Sequence, residues 1–225
     1  MPNETRVVHS GPPQAPVVFL LSAEPGAQDN LCALLSGRAL SLVSIAVPDW
    51  NADLSPWPAP RAFPKGEDFA GRADAFLQRL LQKVLPEVEA SLGFSPRVRL
   101  LAGYSLSGLF ALYALAKTEQ FDGVASASGS LWYDGFLDFF ERALPGLSPR
   151  PVYLSLGDRE AHTKNARLAQ VLSCTRRAHS LLLQAGFPSV LELNPGSHFV
   201  DYAKRMARAV SWLLDQAALQ AEGAR

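Results

Sequence analysis

One serine stands where its hydroxyl could attack a carbonyl carbon. Residues 98–108 read VRLLAGYSLSG, an apolar strand pattern that passes through a tight turn at Ser105 into an apolar helix pattern. This is the layout of a nucleophile elbow, in which a strained turn raises the serine hydroxyl above a sheet. Gly103, Ser107 and Gly108 supply the small volume that the turn needs. Ser107 stands where the usual Gly-x-Ser-x-Gly pattern has glycine, and serine can meet that demand if its φ stays negative.

The alternative role of Ser105 is that of a helix N-cap, which is the commoner role for serine. A cap requires neither a buried strand before it nor a buried helix after it. Both patterns flank Ser105, and they are the context in which the elbow motif is expected. We therefore favour a nucleophile at this position.

A serine nucleophile needs a neighbouring base, and histidine is the usual one. In enzymes with this elbow the order along the chain is serine, acid, histidine, which excludes His9 and leaves His162, His179 and His198. His198 lies between the last predicted strand and the last amphipathic helix pattern, where ligand groups of open α/β sheets gather. His179 is predicted to lie on a solvated helix face, and His162 on the surface. We expect His198 to be the base.

The acid of such a site is expected in residues 156–162, LGDREAH, directly after an apolar strand pattern. Asp158 and Glu160 compete for this role. Either carboxylate could accept a hydrogen bond from the imidazole and stabilise the imidazolium. Residue type and spacing leave both open.

Backbone N–H groups must stabilise the oxyanion of the tetrahedral intermediate. One donor is expected from Leu106, the residue after the nucleophile. The second is expected from the loop after the third predicted strand. Pro48 has no N–H, so we prefer Trp50, with Asp49 and Asn51 as alternatives.

Aromatic residues gather in segments that follow predicted strands. Residues 48–66 hold five prolines and are interpreted as an ordered loop that shapes a pocket. We expect substrate-binding side chains at the carboxyl edge of the sheet, although large aromatic residues are commonly just buried apolar mass. The expected substrate-binding residues are Trp57, Tyr104, Trp132 and Tyr133.

The elements that must position these residues are visible as apolar patterns. Most of the seven short strand patterns are apolar throughout, which is typical of a parallel sheet buried on both faces. Helical spacing of apolar residues predicts helices across 69–84, 168–182 and 199–214, and residues 106–116 predict a central buried helix. Strands alternating with helices predict an α/β fold. The strand patterns are residues 6–9, 17–21, 40–47, 98–102, 123–127, 152–156 and 190–193.

Length and charge limit the classes of protein to consider. The 225 residues, 48% of them hydrophobic, are expected to form one domain over residues 1–225. Lys plus Arg and Asp plus Glu both number 21, so neither nucleic acid nor anionic lipid is an expected partner. No apolar run reaches the roughly 18 residues of a membrane span, and residues 1–6 lack a secretory signal layout. With two distant cysteines, Cys32 and Cys174, we expect a cytoplasmic protein.

On these segments the chain resembles the putative esterase family of α/β-hydrolases, which includes siderophore esterases of the enterochelin type, feruloyl esterases and S-formylglutathione hydrolases. It is most similar to the siderophore-esterase-like bacterial members. The resemblance implies an α/β-hydrolase fold with a mostly parallel central sheet, helices on both faces and no cap domain. It is carried by residues 49–60, 103–115, 126–132, 155–165 and 194–199.

The resemblance also implies roles. Ser105 corresponds to the nucleophile and His198 to the base, and Glu160 is selected as the acid because related members place it three residues after the glycine that ends its strand. The family implies no metal and no organic cofactor. The implied reaction is hydrolysis of a small-molecule carboxylic ester, of the aromatic or siderophore type, through an acyl-enzyme.

Two alternatives to this reaction stay open. A thioesterase or acyltransferase could use the same serine, and partition of the acyl group between water and an added alcohol or thiol would distinguish it. A non-catalytic ligand-binding protein could be built on a hydrolase scaffold, which Ser107 in place of glycine leaves possible. Labelling by a fluorophosphonate separates that protein from an enzyme.

Overall fold

A seven-stranded sheet forms the centre of the computed structural model, which describes residues 5–22 and 29–223. Residues 1–4, on which the expectation about a secretory signal partly rests, lie outside the described residues. The strands are β1 (Thr5–His9), β2 (Val17–Ser22), β3 (Ser41–Ala46), β4 (Pro58–Ala59), β5 (Phe69–Ala70), β6 (Arg99–Tyr104), β7 (Gly123–Ala127), β8 (Val152–Gly157) and β9 (Ser189–Asn194).

Helices follow most of the strands. A π-helical turn, Leu80–Val84, joins α3 to α4. The helices are α1 (Asp29–Leu34), α2 (Trp50–Asp53), α3 (Ala73–Arg79), α4 (Leu85–Leu92), α5 (Leu106–Lys117), α6 (Phe136–Ala143), α7 (Val171–Gln184) and α8 (Tyr202–Gly223).

The strand order is β1-β3-β2-β6-β7-β8-β9. The edge strand β1 is antiparallel to β3, and every other neighbouring pair in this sheet is parallel. The predicted mainly parallel sheet is therefore confirmed. Strands β2, β6, β7 and β8 are almost wholly buried, which explains why their sequences are apolar throughout.

Helices cover both faces of the sheet, each over its own apolar cluster. One cluster joins the sheet to α3, α4, α5, α6 and α7, and the other joins its opposite face to α1 and α8. Residues 106–115 of α5 are all buried, as its apolar character all round predicts. In the connections from β6 to β9, α5 and α7 pack against the sheet and α6 packs against α5 and α7, and within the described ranges no cap domain stands apart from them.

The predicted starts of two helices are wrong. The helix predicted from residue 199 begins at Tyr202, because Asp201 has φ 55° and cannot continue a right-handed helix. The helix predicted from residue 69 begins at Ala73, since Phe69 pairs with Ala59 in a two-stranded antiparallel sheet. The apolar spacing in both cases runs past the helix into the preceding loop.

The proline-rich stretch, residues 48–66, is ordered as predicted and contains α2 and β4. Pro58 fits β4 because this two-residue strand pairs on one side only and needs no further ladder N–H. Among the residues that the structure describes, no helix combines the length and apolarity needed to cross a membrane.

Candidate active site

Ser105 sits between β6 and α5 with φ 60° and ψ −123°, a backbone conformation that non-glycine residues rarely adopt. Its N–H donates to the carbonyl of Ala127 at 3.0 Å. Its carbonyl accepts from the N–H groups of Gly108, Leu109 and Ser130 at 3.0 to 3.2 Å. These four bonds hold the turn in place and raise the side chain above the carboxyl end of β6.

The elbow depends on small neighbours. A Cβ on Gly103 would clash with the backbone carbonyl of Ser107, so only glycine fits there. Ser107 is fully buried, and its φ is not positive. Its hydroxyl donates to the carbonyl of Tyr104 and accepts from the Tyr104 N–H, both at 2.8 Å. Serine therefore fills the place of the usual glycine and adds two bonds to the turn.

The Ser105 side chain makes no capping bond to α5. Its hydroxyl lies 3.0 Å from Nε2 of His198, in the loop after β9. The structure thus brings together the two residues predicted as nucleophile and base, which lie 93 positions apart in the chain. The N-cap alternative for Ser105 has no support in this geometry.

Glu160 contacts the other ring nitrogen of His198. Its Oε2 lies 2.7 Å from His198 Nδ1, and its side chain is 4% exposed. Asp158, the alternative acid, instead accepts a bond from the Gly196 N–H at 2.8 Å and so fixes the histidine loop. The third residue after Gly157, rather than the first, is therefore the one that reaches the imidazole.

The environment of Glu160 determines its charge. Burial alone would raise the pKa of its carboxyl, but hydrogen bonds from His198, Ser128 and the Gly157 N–H outweigh burial and lower the pKa below its usual value. An ionised carboxylate can only accept, so Nδ1 of His198 carries a proton and Nε2 is free to accept from the Ser105 hydroxyl.

The residues predicted as oxyanion donors lie at helix starts that border the same cavity. Leu106 is the first residue of α5 and Trp50 the first of α2, so neither N–H has a carbonyl one turn earlier in its helix. The alternative Asp49 N–H is directed to the Asp53 carboxylate at 3.3 Å. Asn51, the other alternative, also borders the cavity.

A cavity of about 610 Å³ opens beside Ser105 and His198. Its wall is mainly apolar and includes five aromatic side chains, and Arg159, His162 and Glu67 add polar groups. Trp132 is predicted to bind substrate and lies in this wall, with the Arg167 guanidinium over its ring at 5.2 Å. The aromatic lining consists of Trp50, Phe63, Phe69, Trp132 and Phe199.

The structure does not bring Trp57, Tyr104 and Tyr133 into the cavity wall, where we expected them. Trp57 packs on Tyr133 and donates its indole N–H to the Asp134 carbonyl at 2.9 Å. Tyr133 is buried, and its hydroxyl donates to the Trp57 carbonyl. Tyr104 donates to the His198 carbonyl at 2.5 Å. All three support the loops of the site from behind, because their polar ends are bound to backbone groups.

Sequence reasoning missed several residues of the site. Phe199 was assigned to a helix, yet it is 90% exposed and borders the cavity beside His198. Ser128 and Arg205 both contact Glu160, at 2.7 and 2.9 Å. Ser128, directly after β7, has a φ of 47°, which is unusual for a residue other than glycine. This backbone angle can be seen only in the structure.

The order of the strands, the strained serine after β6 and the histidine after β9 define an α/β-hydrolase. A profile of the family described as "Putative esterase" matches residues 9–213. The chain therefore belongs to the putative esterase family and is a carboxylic ester hydrolase. The expected family and fold are confirmed.

Individual proteins are similar over most of the chain. A Bacillus subtilis (strain 168) protein described as uncharacterized protein YbbA is 26% identical over 186 residues, 78% of this chain and 74% of YbbA. The siderophore hydrolase EstA from Aspergillus nidulans superimposes with a TM-score of 0.71 at 22% identity, over 90% of this chain and 83% of EstA. An IroE-like serine hydrolase from Shewanella oneidensis gives 0.78 at 18% identity, over 90% and 71%. At these identities the two structures establish the fold.

Replacing Gly103 by alanine is expected to destabilise the protein. The new Cβ would overlap the Ser107 backbone, so the elbow must shift, and we expect a loss of about 1–3 kcal/mol in the free energy of unfolding. Gly146→Ala is the matched control, since no atom lies within 4 Å of its added Cβ. Urea unfolding of both variants measures the effect. Equal stability of the two variants would contradict the packing argument.

Glu160 is expected to make stability depend on acid pH. Its pKa is lower in the folded protein than the usual 4.5, so its contribution is complete above that value and is lost as pH falls through the folded pKa. The unfolding free energy of the wild type should therefore approach that of Glu160→Gln as pH falls from 4.5 through the folded pKa. Glu87→Gln, at an exposed position of α4, is the control. A pH-independent difference between wild type and Glu160→Gln would refute this linkage.

Proposed function

We propose that the chain hydrolyses its ester with Ser105 as nucleophile, His198 as general base and Glu160 as the acid of the triad. The observation that carries this proposal is the continuous row of contacts from Ser105 Oγ to His198 Nε2 at 3.0 Å and from His198 Nδ1 to Glu160 Oε2 at 2.7 Å. Each distance lies within hydrogen-bond reach of the next group.

The proton moves along the first of these contacts. His198 Nε2 takes the hydroxyl proton as Ser105 Oγ attacks the ester carbonyl carbon, and the ionised Glu160 stabilises the imidazolium. The imidazolium then protonates the leaving alkoxide, which gives the alcohol and an acyl-enzyme. Water, deprotonated by His198, attacks the acyl-enzyme and releases the carboxylic acid and free Ser105.

Backbone N–H groups stabilise the oxyanion in both steps. Leu106 supplies one because it follows the nucleophile at the start of α5, and Trp50 supplies the second from the start of α2. Both residues border the cavity that holds the Ser105 side chain. Fixed donors of this kind favour the tetrahedral intermediate over the planar ester.

The substrate is an ester that carries an aromatic group, as the five aromatic side chains of the wall favour. The Phe69 ring lies 6.3 Å from that of Trp132, and these rings form an apolar surface on which a planar group can pack. EstA, the similar structure named above, is described as a siderophore hydrolase, which supports an ester of the siderophore type as one member of this class.

Ser105→Ala is expected to lower kcat for an activated aryl ester by about 10³-fold or more, because the three residues act as one unit. Ser173→Ala, a serine on the exposed side of α7, is the control and should keep wild-type turnover. Steady-state hydrolysis of p-nitrophenyl esters measures both. Turnover by a folded Ser105→Ala variant at the wild-type rate would remove this serine from the mechanism.

A fluorophosphonate probe separates an enzyme from a ligand-binding protein. The wild type is expected to be labelled stoichiometrically at Ser105, and His198→Ala to be labelled far more slowly because the hydroxyl loses its base. A folded wild-type protein that does not react would favour a binding protein.

Phe199→Ala is expected to reduce selectivity for aryl acyl groups. The exposed ring borders the cavity beside His198, so its loss removes apolar contact from a large acyl group and none from acetyl. We expect KM for a hydroxycinnamoyl ester to rise by about 10-fold, while acetyl ester hydrolysis changes little. Leu219→Ala, at an exposed apolar residue of α8 that does not line the cavity, is the control. An equal effect on both esters would contradict this role of Phe199.

A further inference from the structure

Arg205 is a buried cation beside the proposed triad. It lies in the first turns of α8, and its side chain is 1% exposed. A buried charge is costly unless it is paired and hydrogen-bonded. The hydrogen-bond partners of this guanidinium therefore show which parts of the site the residue joins.

Its two terminal nitrogens reach two different loops. Nη1 donates to Glu160 Oε1 at 2.9 Å, in the loop after β8. Nη2 donates to the carbonyls of Pro195 and Ser197 at 3.1 and 3.0 Å, in the loop after β9 that carries His198. One planar group thus joins the loop of the proposed acid to the loop of the proposed base.

The third loop of the site is joined through Tyr104. The Tyr104 hydroxyl lies 3.2 Å from Arg205 Nη1 and donates to the carbonyl of His198 at 2.5 Å. Ser128, directly after β7, lies 3.1 Å from the same nitrogen and donates to Glu160 at 2.7 Å. Arg205 is therefore the centre of a polar cluster, defined by Tyr104, Ser128, Glu160 and Arg205.

Arg205 also sets the orientation of the Glu160 carboxylate. Arg205 and His198 bind the two oxygens of this carboxylate, Oε1 and Oε2 respectively. Because Arg205 and Ser128 both hold Oε1, Oε2 is the oxygen that faces the imidazole.

The geometry points to Arg205 as a positioning residue for the reaction: it fixes the acid loop against the histidine loop and holds the Glu160 carboxylate toward His198. This inference rests on the proposed function, because it assigns Arg205 a role through Glu160 and His198. Only a planar fork with separated donors can bind the carboxylate and the two carbonyls at once, so lysine cannot replace it fully.

Two substitutions test this role. Arg205→Met removes both the fork and the charge, so we expect kcat to fall by about 10²-fold. Arg205→Lys keeps a cation that can bind Glu160 but loses the fork, so kcat should fall by only about 10-fold. KM for a p-nitrophenyl ester should change little in both.

Arg208→Met is the matched control on the same helix. Arg208 pairs with Glu192 and Asn194, and its side chain is mostly exposed. We expect its kcat to match the wild type. All rates are taken per folded molecule, as measured by circular dichroism, so that loss of stability is not counted as loss of catalysis.

The outcomes are distinguishable. Folded Arg205 variants with wild-type kcat would overturn the inference, and so would failure of both variants to fold, which would make Arg205 a residue of stability alone. If Ser105→Ala keeps its activity, the proposed function itself fails. If only Ser105→Ala loses activity, the triad stands and the role of Arg205 does not.

Discussion

The backbone of Ser105 is the constraint on which the site depends. A non-glycine residue at φ 60° and ψ −123° costs about 1–3 kcal/mol and persists only where its surroundings determine it fully. Here the determinants are the end of β7, the start of α5 and the loop after β7, which together bind the Ser105 N–H and carbonyl. The central helix is buried all round, and the same burial that makes it part of the core fixes the direction of the serine side chain.

From that fixed point, the sheet brings the other groups to the serine. Strands β6, β7, β8 and β9 are consecutive neighbours and parallel, so their carboxyl ends deliver Ser105, Ser128, Glu160 and His198 to one edge. Helix α8 lies on the other face of the sheet from α5, and it places the buried Arg205 side chain against Glu160. In the proposed mechanism, the polar cluster around Arg205 orients the reacting groups, and the apolar cavity wall receives the ester.

Strong local patterns made much of this predictable from the sequence. The seven strands and α5 follow from apolar runs, and Ser105 and His198 follow from their places after strands. Asp158 and Glu160 could be ranked only by family resemblance, because the choice depends on which carboxylate turns toward the imidazole and which toward Gly196. Arg205 could not be found, since an arginine in an amphipathic helix is typical of a solvated face, and its burial arises only where three loops meet.

The position of these residues along the chain has a consequence for biosynthesis. The serine precedes its histidine by 93 residues, and at roughly 5–20 residues per second the ribosome needs about 5–20 s to add them. During that interval the nascent chain contains the Ser105 hydroxyl but not yet His198, its proposed general base. In the proposed mechanism, Ser105 therefore gains its general base only after β9 and the loop that follows it have been synthesised.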